Sequence, residues 1–157
     1  MKKTALITGA TGGIGGAFAK ALEEQGYELI LPVRNIAKLS QLSGNFFAKQ
    51  IDLESLDSFI SFFNEIKSVR RHIDLVVLSA GRFAWDNEFE TQEIAIEELD
   101  KANFQTKKVA VASLREVFGD TLNQTTIIII SSHAAHFDES HPFRAGEEGY
   151  VRSMIKV

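Results

Sequence analysis

Residues Thr4–Phe18, "TALITGATGGIGGAF", decide the fold of this chain. "TALIT" is a short apolar run that predicts a strand, and it leads straight into glycines. Gly9, Gly13 and Gly15 occupy the turn and the opening of the segment beyond it. Ile14, Ala17, Phe18, Ala21 and Leu22 then recur at helical spacing, and Gly26 stands where a left-handed cap is wanted. Strand, glycine turn and helix in that order have a physical purpose. Glycine permits the tight turn, the close approach of a pyrophosphate and tight helix–strand packing. The helix start then offers unpaired N–H groups and a positive dipole end to phosphate.

Further along the chain the same rhythm continues without a linker or an internal repeat. "ELILPV" is a second strand, followed by a short helix through about Leu42, and "NFFAKQI" is a third strand. Leu56, Phe59, Ile60 and Phe63 mark the next helix, and "IDLVVLSAG" is a fourth strand. A long helix is expected from about Thr91 to Phe118, before a fifth strand in "TTIIIISS". Strands alternating with helices through right-handed crossovers give a parallel α/β sheet. The expectation is a Rossmann-type, doubly wound sheet of about five strands in the order 3-2-1-4-5, with helices on both faces, in a single domain over residues 1–157. The apolar runs of the fourth and fifth strands fit strands covered on both faces.

Composition narrows the function classes. The chain has 157 residues, enough for one domain with a sizeable core, and a net charge of −4. That charge argues against a nucleic-acid partner, which favours a basic face. With no cysteine, thiolate nucleophiles, thiolate metal sites and disulfides are all excluded. The opening apolar run is broken at Thr8 and Gly9, too short for a signal peptide, and no stretch is long enough to span a bilayer. A cytoplasmic protein without a membrane partner is expected.

The spacing T-G-x-x-x-G-x-G from Thr8 to Gly15 resembles the short-chain dehydrogenase/reductase family, and the resemblance extends along the whole chain. It implies that Gly9, Thr11, Gly13, Ile14 and Gly15 bind a nicotinamide dinucleotide. Asp52 and Leu53 resemble the pair that holds the adenine. Ser79, Ala80 and Gly81 are similar to the asparagine-alanine-glycine motif, with Ser79 in place of the asparagine. The end of the second strand carries no carboxylate for a ribose 2′-hydroxyl. Val33 stands in that slot and Arg34 follows, a guanidinium suited to a 2′-phosphate. NADP(H) is therefore expected over NAD(H); a solvated arginine at a strand end is the bland alternative.

For catalysis the resemblance assigns Tyr150 as general acid/base, Ser132 as the hydrogen-bonding partner of the substrate oxygen and Asn103 as the anchor of a relay water. The substrate implied is a small carbonyl or alcohol. Asn103 shares the apolar helix face of Ile96, Leu99, Ala110 and Leu114, so its amide must find partners: local helix backbone, a relay water, or both. Ser131 and Ser132 also read as a polar pair ending a strand.

Met154 stands where the family has a lysine that lowers the phenol's pKa. Lys156 lies about 240° round a helix from Tyr150 and cannot replace it, and Arg152 is worse placed. Lys107, one turn after Asn103, is the candidate approaching from another helix. The alternative to an oxidoreductase is a catalytically silent dinucleotide-binding or partner-binding module. His133, His136 and His141 beside Asp138 and Glu139 match no closed metal site, and no metal is expected. Phe83 and Trp85 read either as an apolar wall at the substrate entrance or as ordinary packing. The family's C-terminal strands and substrate region are absent from the sequence, which reads as a C-terminally shortened member. An apolar fifth strand at a sheet edge calls for a covering chain, and the family's dimer contact through its fourth and fifth helices makes a homodimer the expected partner.

Overall fold

In the computed structural model the described residues are 2–39, 42–82 and 91–130. They form a five-stranded sheet in the order β3-β2-β1-β4-β5, with every neighbouring pair parallel. The strands are β1 (Thr4–Thr8), β2 (Glu28–Val33), β3 (Phe46–Gln50), β4 (Leu75–Leu78) and β5 (Thr126–Ile129). The helices are α1 (Gly13–Glu24), α2 (Leu56–Val69), α3 (Gln92–Asp100) and α4 (Thr106–Phe118). A 3-10 turn at Ile36–Leu39 follows β2.

Strand residues alternate between the two faces of the sheet. Leu6, Ile30, Val76 and Leu78 join a core with Phe59, Phe62, Phe63 and Ile66 of α2 and Val109, Ala110 and Leu114 of α4. Ala5, Ile7, Leu29, Leu31 and Val77 point the other way, onto Ala19 and Leu22 of α1. Helices therefore cover both faces, and each layer hides a separate apolar cluster. Four phenylalanines, Phe59, Phe62, Phe63 and Phe118, are fully buried. Phe63 meets Phe118 edge-on with ring centres 6.0 Å apart, which joins α2 to α4.

Four expectations need correction. First, α1 presents Gly15, Ala19 and Leu22 to the sheet, while Ile14, Ala17 and Ala21 are exposed. The helix lies so close to the sheet that a Cβ on Gly15 would fall 2.2 Å from the Gly9 carbonyl oxygen, so small residues face inward. Second, in α2 Leu56 is exposed and Phe62 takes the core position. Third, the expected long helix is interrupted by a π-type segment, Lys101–Gln105, between α3 and α4. There the Thr106 amide donates to the Lys101 carbonyl, five residues back. Fourth, β5 is only partly covered: Ile127 packs against one core and Ile128 against the other, both half-buried, while Thr126 and Ile129 are exposed. Among the described residues β5 is an edge of the sheet.

Candidate dinucleotide site

The switch point of this topology lies between β1 and β4, where the strand order reverses, and ligands of such sheets bind outside the carboxyl ends of the strands there. A cleft of about 380 Å³ opens at that place. Every residue expected to hold the cofactor lines it: Gly9, Thr11, Gly13, Ile14, Gly15, Arg34, Asp52, Leu53, Ser79, Ala80 and Gly81. Val33, Lys38, Ala102 and Thr106 line it too.

The floor of the cleft is a close crossing of three backbones. Gly9 has φ of 74°, and a Cβ there would lie 2.8 Å from the Ala80 nitrogen. Only glycine fits both the left-handed turn and this approach. The Gly12 amide donates to the Gly9 carbonyl at 2.9 Å, tightening the turn. Ser79 Oγ donates to the Thr8 carbonyl at 2.6 Å, and the Ala80 amide donates to Thr8 Oγ1 at 3.2 Å. A Cβ on Gly15 would also sit 2.6 Å from Ser79 Oγ. Ser79 thus latches the end of β4 to the end of β1.

The start of α1 is left open to an anion. Its N-cap is Gly12, with no side-chain cap, and its first turn contains no acidic residue. The amides of the first turn are therefore free of a competing carboxylate, and the dipole end is positive. A Cβ on Gly13 would meet nothing within 4 Å, so the loop has room in front of it.

At the β2 side of the cleft stand two cations, Arg34 and Lys38, both exposed and both on the lining. The Arg34 guanidinium and the Lys38 ammonium have no protein partner among the described residues. Asn35 Oδ1 accepts from the Ala37 amide at 3.0 Å and shapes the turn that brings Lys38 round. Sequence reading missed Lys38, although its place four residues after Arg34, on the next turn, is the signal. Asp52 closes a local turn, its Oδ1 accepting from the Glu54 amide at 2.9 Å. An uncapped helix start, open space before it and two free cations together fit a phosphate-rich dinucleotide.

At the opposite, β4 side lies Asn103, buried within the π-type segment. Its Oδ1 accepts from the Arg82 amide at 2.8 Å, and its Nδ2 donates to the Arg82 carbonyl at 2.9 Å. The amide is thus satisfied by the loop after β4, not by its own helix. The main-chain carbonyl of Asn103 receives Lys107 Nζ at 2.6 Å, and the same ammonium donates to the Ala80 carbonyl at 2.8 Å. Burial pushes the Lys107 amine down to about 8.

Ser132, Tyr150 and Met154 lie outside the described residues, as do Ser131, Arg152, Lys156, Phe83, Trp85 and the three histidines of the 133–141 segment. Among the described residues no cluster of metal-ligating side chains occurs and no helix is long and apolar enough to cross a membrane.

Comparison with known proteins agrees with this geometry. The sequence profile of the short chain dehydrogenase family matches residues 3–142. A short-chain dehydrogenase/reductase of Pestalotiopsis microspora is 26% identical over 165 residues, which take in 99% of this chain and 61% of that protein. The WW domain-containing oxidoreductase of Drosophila melanogaster is 42% identical over 94 residues, 52% of this chain and 23% of that one. Among solved structures, a short-chain dehydrogenase/reductase from Vibrio parahaemolyticus superposes with a TM-score of 0.76 at 25% identity, covering 97% of this chain and 72% of that one. An alcohol dehydrogenase from Thermococcus sibiricus, complexed with 5-hydroxy-NADP, gives 0.77 at 23% identity, covering 100% and 69%. The chain spans less than two thirds of the length of these sequence relatives.

Proposed function

The chain belongs to the short-chain dehydrogenase family of oxidoreductases, and from that premise we propose that it binds NADP(H) and serves the interconversion of carbonyl and alcohol groups. The family implies a nicotinamide dinucleotide; the phosphorylated form is this chain's own reading. The observation that carries it is the pair of unpartnered cations, Arg34 and Lys38, beside Val33 where a ribose-binding carboxylate would stand. A 2′-phosphate between them gains charge-assisted hydrogen bonds, and no carboxylate at the carboxyl end of β2 repels it. The complex of the Thermococcus sibiricus protein with 5-hydroxy-NADP is consistent with this choice.

The bound cofactor supplies or accepts a hydride. The chain's own residues do the rest. The glycine turn and the open start of α1 hold the pyrophosphate, and Asp52 and Leu53 border the adenine. By the family resemblance Tyr150 exchanges the proton at the substrate oxygen while Ser132 hydrogen-bonds that atom. Reduction thus adds hydride to carbon and a proton to oxygen, and oxidation removes both. Asn103 holds the loop after β4 against the helix, and in this reading its neighbourhood completes the proton path. Among the described residues β5 is an edge of the sheet with Thr126 and Ile129 exposed, which supports a homo-oligomer.

A second reading rests on Met154, which brings neither charge nor proton to the place of the family lysine. It favours a module that binds the dinucleotide without turnover. Fluorescence titration with NADPH and NADH tests the common ground: NADPH binds at least tenfold more tightly. Equal affinities overturn the phosphate assignment, and no binding of either overturns the site. A hydride-transfer screen with small carbonyls, on this chain and on Met154→Lys, then separates the readings. Turnover that rises in the variant supports the enzyme reading, and its absence in both supports the silent module.

A further inference from the structure

Lys107 is a half-buried cation that neither the glycine loop nor the Arg34 pocket uses. It lies in the first turn of α4, beside Thr106 and one turn beyond Asn103. Its Nζ is fixed by the Ala80 carbonyl at 2.8 Å and the Asn103 carbonyl at 2.6 Å. Ala80, Gly81, Ala102 and Thr106 all line the cleft, and a Cβ on Gly81 would stand 3.8 Å from the ammonium. The cation is therefore held directly behind the cleft wall, separated from the lumen by a glycine. Two of its three donors are used among the described residues.

Its place along the cleft gives it a consequence. Arg34 and Lys38 mark the β2 end, where the proposed adenosine phosphate is held. A dinucleotide lies across the crevice between β1 and β4, so its nicotinamide half falls on the β4 side, toward Gly81. The nicotinamide ring is cationic when oxidised and neutral when reduced.

We propose that the Lys107 ammonium sets which redox form of the cofactor this chain holds, favouring the uncharged reduced nicotinamide over the cationic oxidised one. This rests on the NADP(H) reading of the cleft. The physical cause is charge repulsion in a partly buried setting, where water screens less than at the surface. It gives the site a bias toward taking up reduced cofactor and releasing oxidised cofactor, in the absence of a lysine at position 154.

The charge is titratable. Burial pushes the amine down to about 8, so the ammonium is full below that value and lost above it. Other charged groups on the surrounding elements are Arg82, paired with Glu98, Lys101, Lys108, and Glu54 and Asp57 around the start of α2. Burial is the only cause of the Lys107 shift, so none of them sets its titration. The Tyr150 phenol, if it reaches the site, would move the preference in the same direction with rising pH, and a variant must separate the two.

The test is calorimetric titration of the native chain with NADPH and with NADP+ from pH 6.5 to 9.5. The ratio of the two Kd values cancels everything common to both forms, the 2′-phosphate included. The ratio Kd(NADP+)/Kd(NADPH) should fall about three- to tenfold across this range, with a midpoint near 8. Lys107→Met should hold the ratio flat at the high-pH value, and Lys107→Arg flat at the low-pH value. A flat ratio in the native chain overturns the proposal, as does a pH dependence that survives in Lys107→Met. If Lys107→Met does not fold, the native titration and the arginine variant still decide it. Failure of both NADPH and NADP+ to bind at any pH removes the nucleotide reading itself, and this inference with it.

Discussion

The side-chain amide of Asn103 clamps the backbone of Arg82 at two points, accepting from its amide at 2.8 Å and donating to its carbonyl at 2.9 Å. Asn103 belongs to the π-type segment and Arg82 to the loop leaving β4, so the clamp fixes the helix to the mouth of the cleft. Truncation by Asn103→Ala leaves a peptide N–H and C=O without their partners. A loss of about 2–3 kcal/mol in urea unfolding is expected. Asn103→Asp should cost as much, because a carboxylate accepts from the Arg82 amide but cannot donate to its carbonyl. A loss below about 0.5 kcal/mol in both variants would show that water replaces the clamp.

Two glycines at the start of α1 should separate folding from binding. At Gly15 an added methyl would meet the Gly9 oxygen at 2.2 Å and Ser79 Oγ at 2.6 Å, with backbone on the near side. Gly15→Ala should cost about 3 kcal/mol or more, read as a lower unfolding midpoint. At Gly13 nothing lies within 4 Å, and the residue sits in the first turn of α1. Gly13→Ala should leave stability within about 1 kcal/mol of native. It should nonetheless weaken NADPH binding, since the methyl enters the space before the helix start. Unchanged affinity in Gly13→Ala would move the phosphates elsewhere.

Arg34 and Lys38 should contribute to cofactor choice, and by different amounts. Arg34 can make a planar two-point contact with a phosphate, whereas Lys38 offers a point charge on a flexible stem. Arg34→Ala should lower NADPH affinity about tenfold or more and leave NADH affinity nearly unchanged. Lys38→Ala should show the same selectivity with a smaller loss. Equal losses for both cofactors in either variant would assign that residue to the shared part of the dinucleotide.

How far the sequence discloses this molecule depends on what each residue's neighbours supply. The strand order was legible because alternating strands and helices with right-handed crossovers leave few topologies. The glycine loop was legible for the same local reason: strand, turn and helix fall within one short stretch. The inward face of α1 was not. Apolar periodicity points to Ile14, Ala17 and Ala21, but the helix approaches the sheet through Gly15 and Ala19, and Ile14 is left 57% exposed beside the cleft. Nor was the π-type segment legible, since a single five-residue step shifts the helical pattern by one position. The partners of the Asn103 amide at Arg82, and the second partner of Lys107 at Ala80, lie more than twenty residues back, and no local pattern records them.

Asp74 gives a prediction of pH dependence independent of any ligand. Its Oδ2 accepts from the Thr4 amide at 2.7 Å and from Thr4 Oγ1 at 3.1 Å, fastening the start of β4 to the start of β1. Burial pushes the carboxyl up, but the hydrogen bonds from Thr4 and the adjacent His72 outweigh it and hold the group below the ordinary carboxylate range. A group depressed in the folded state contributes stability that is present above its unfolded pKa and lost as pH falls through the folded one. Asp74→Asn should therefore lower stability by about 1–2 kcal/mol at neutral pH. The gap between native and variant should hold down to about pH 4 and close below it. Urea midpoints for both proteins from pH 3 to 7 measure this directly. A gap that stays constant to pH 3 would mean the hydrogen bonds hold without the charge, and that the carboxylate itself contributes nothing to fastening the two strands.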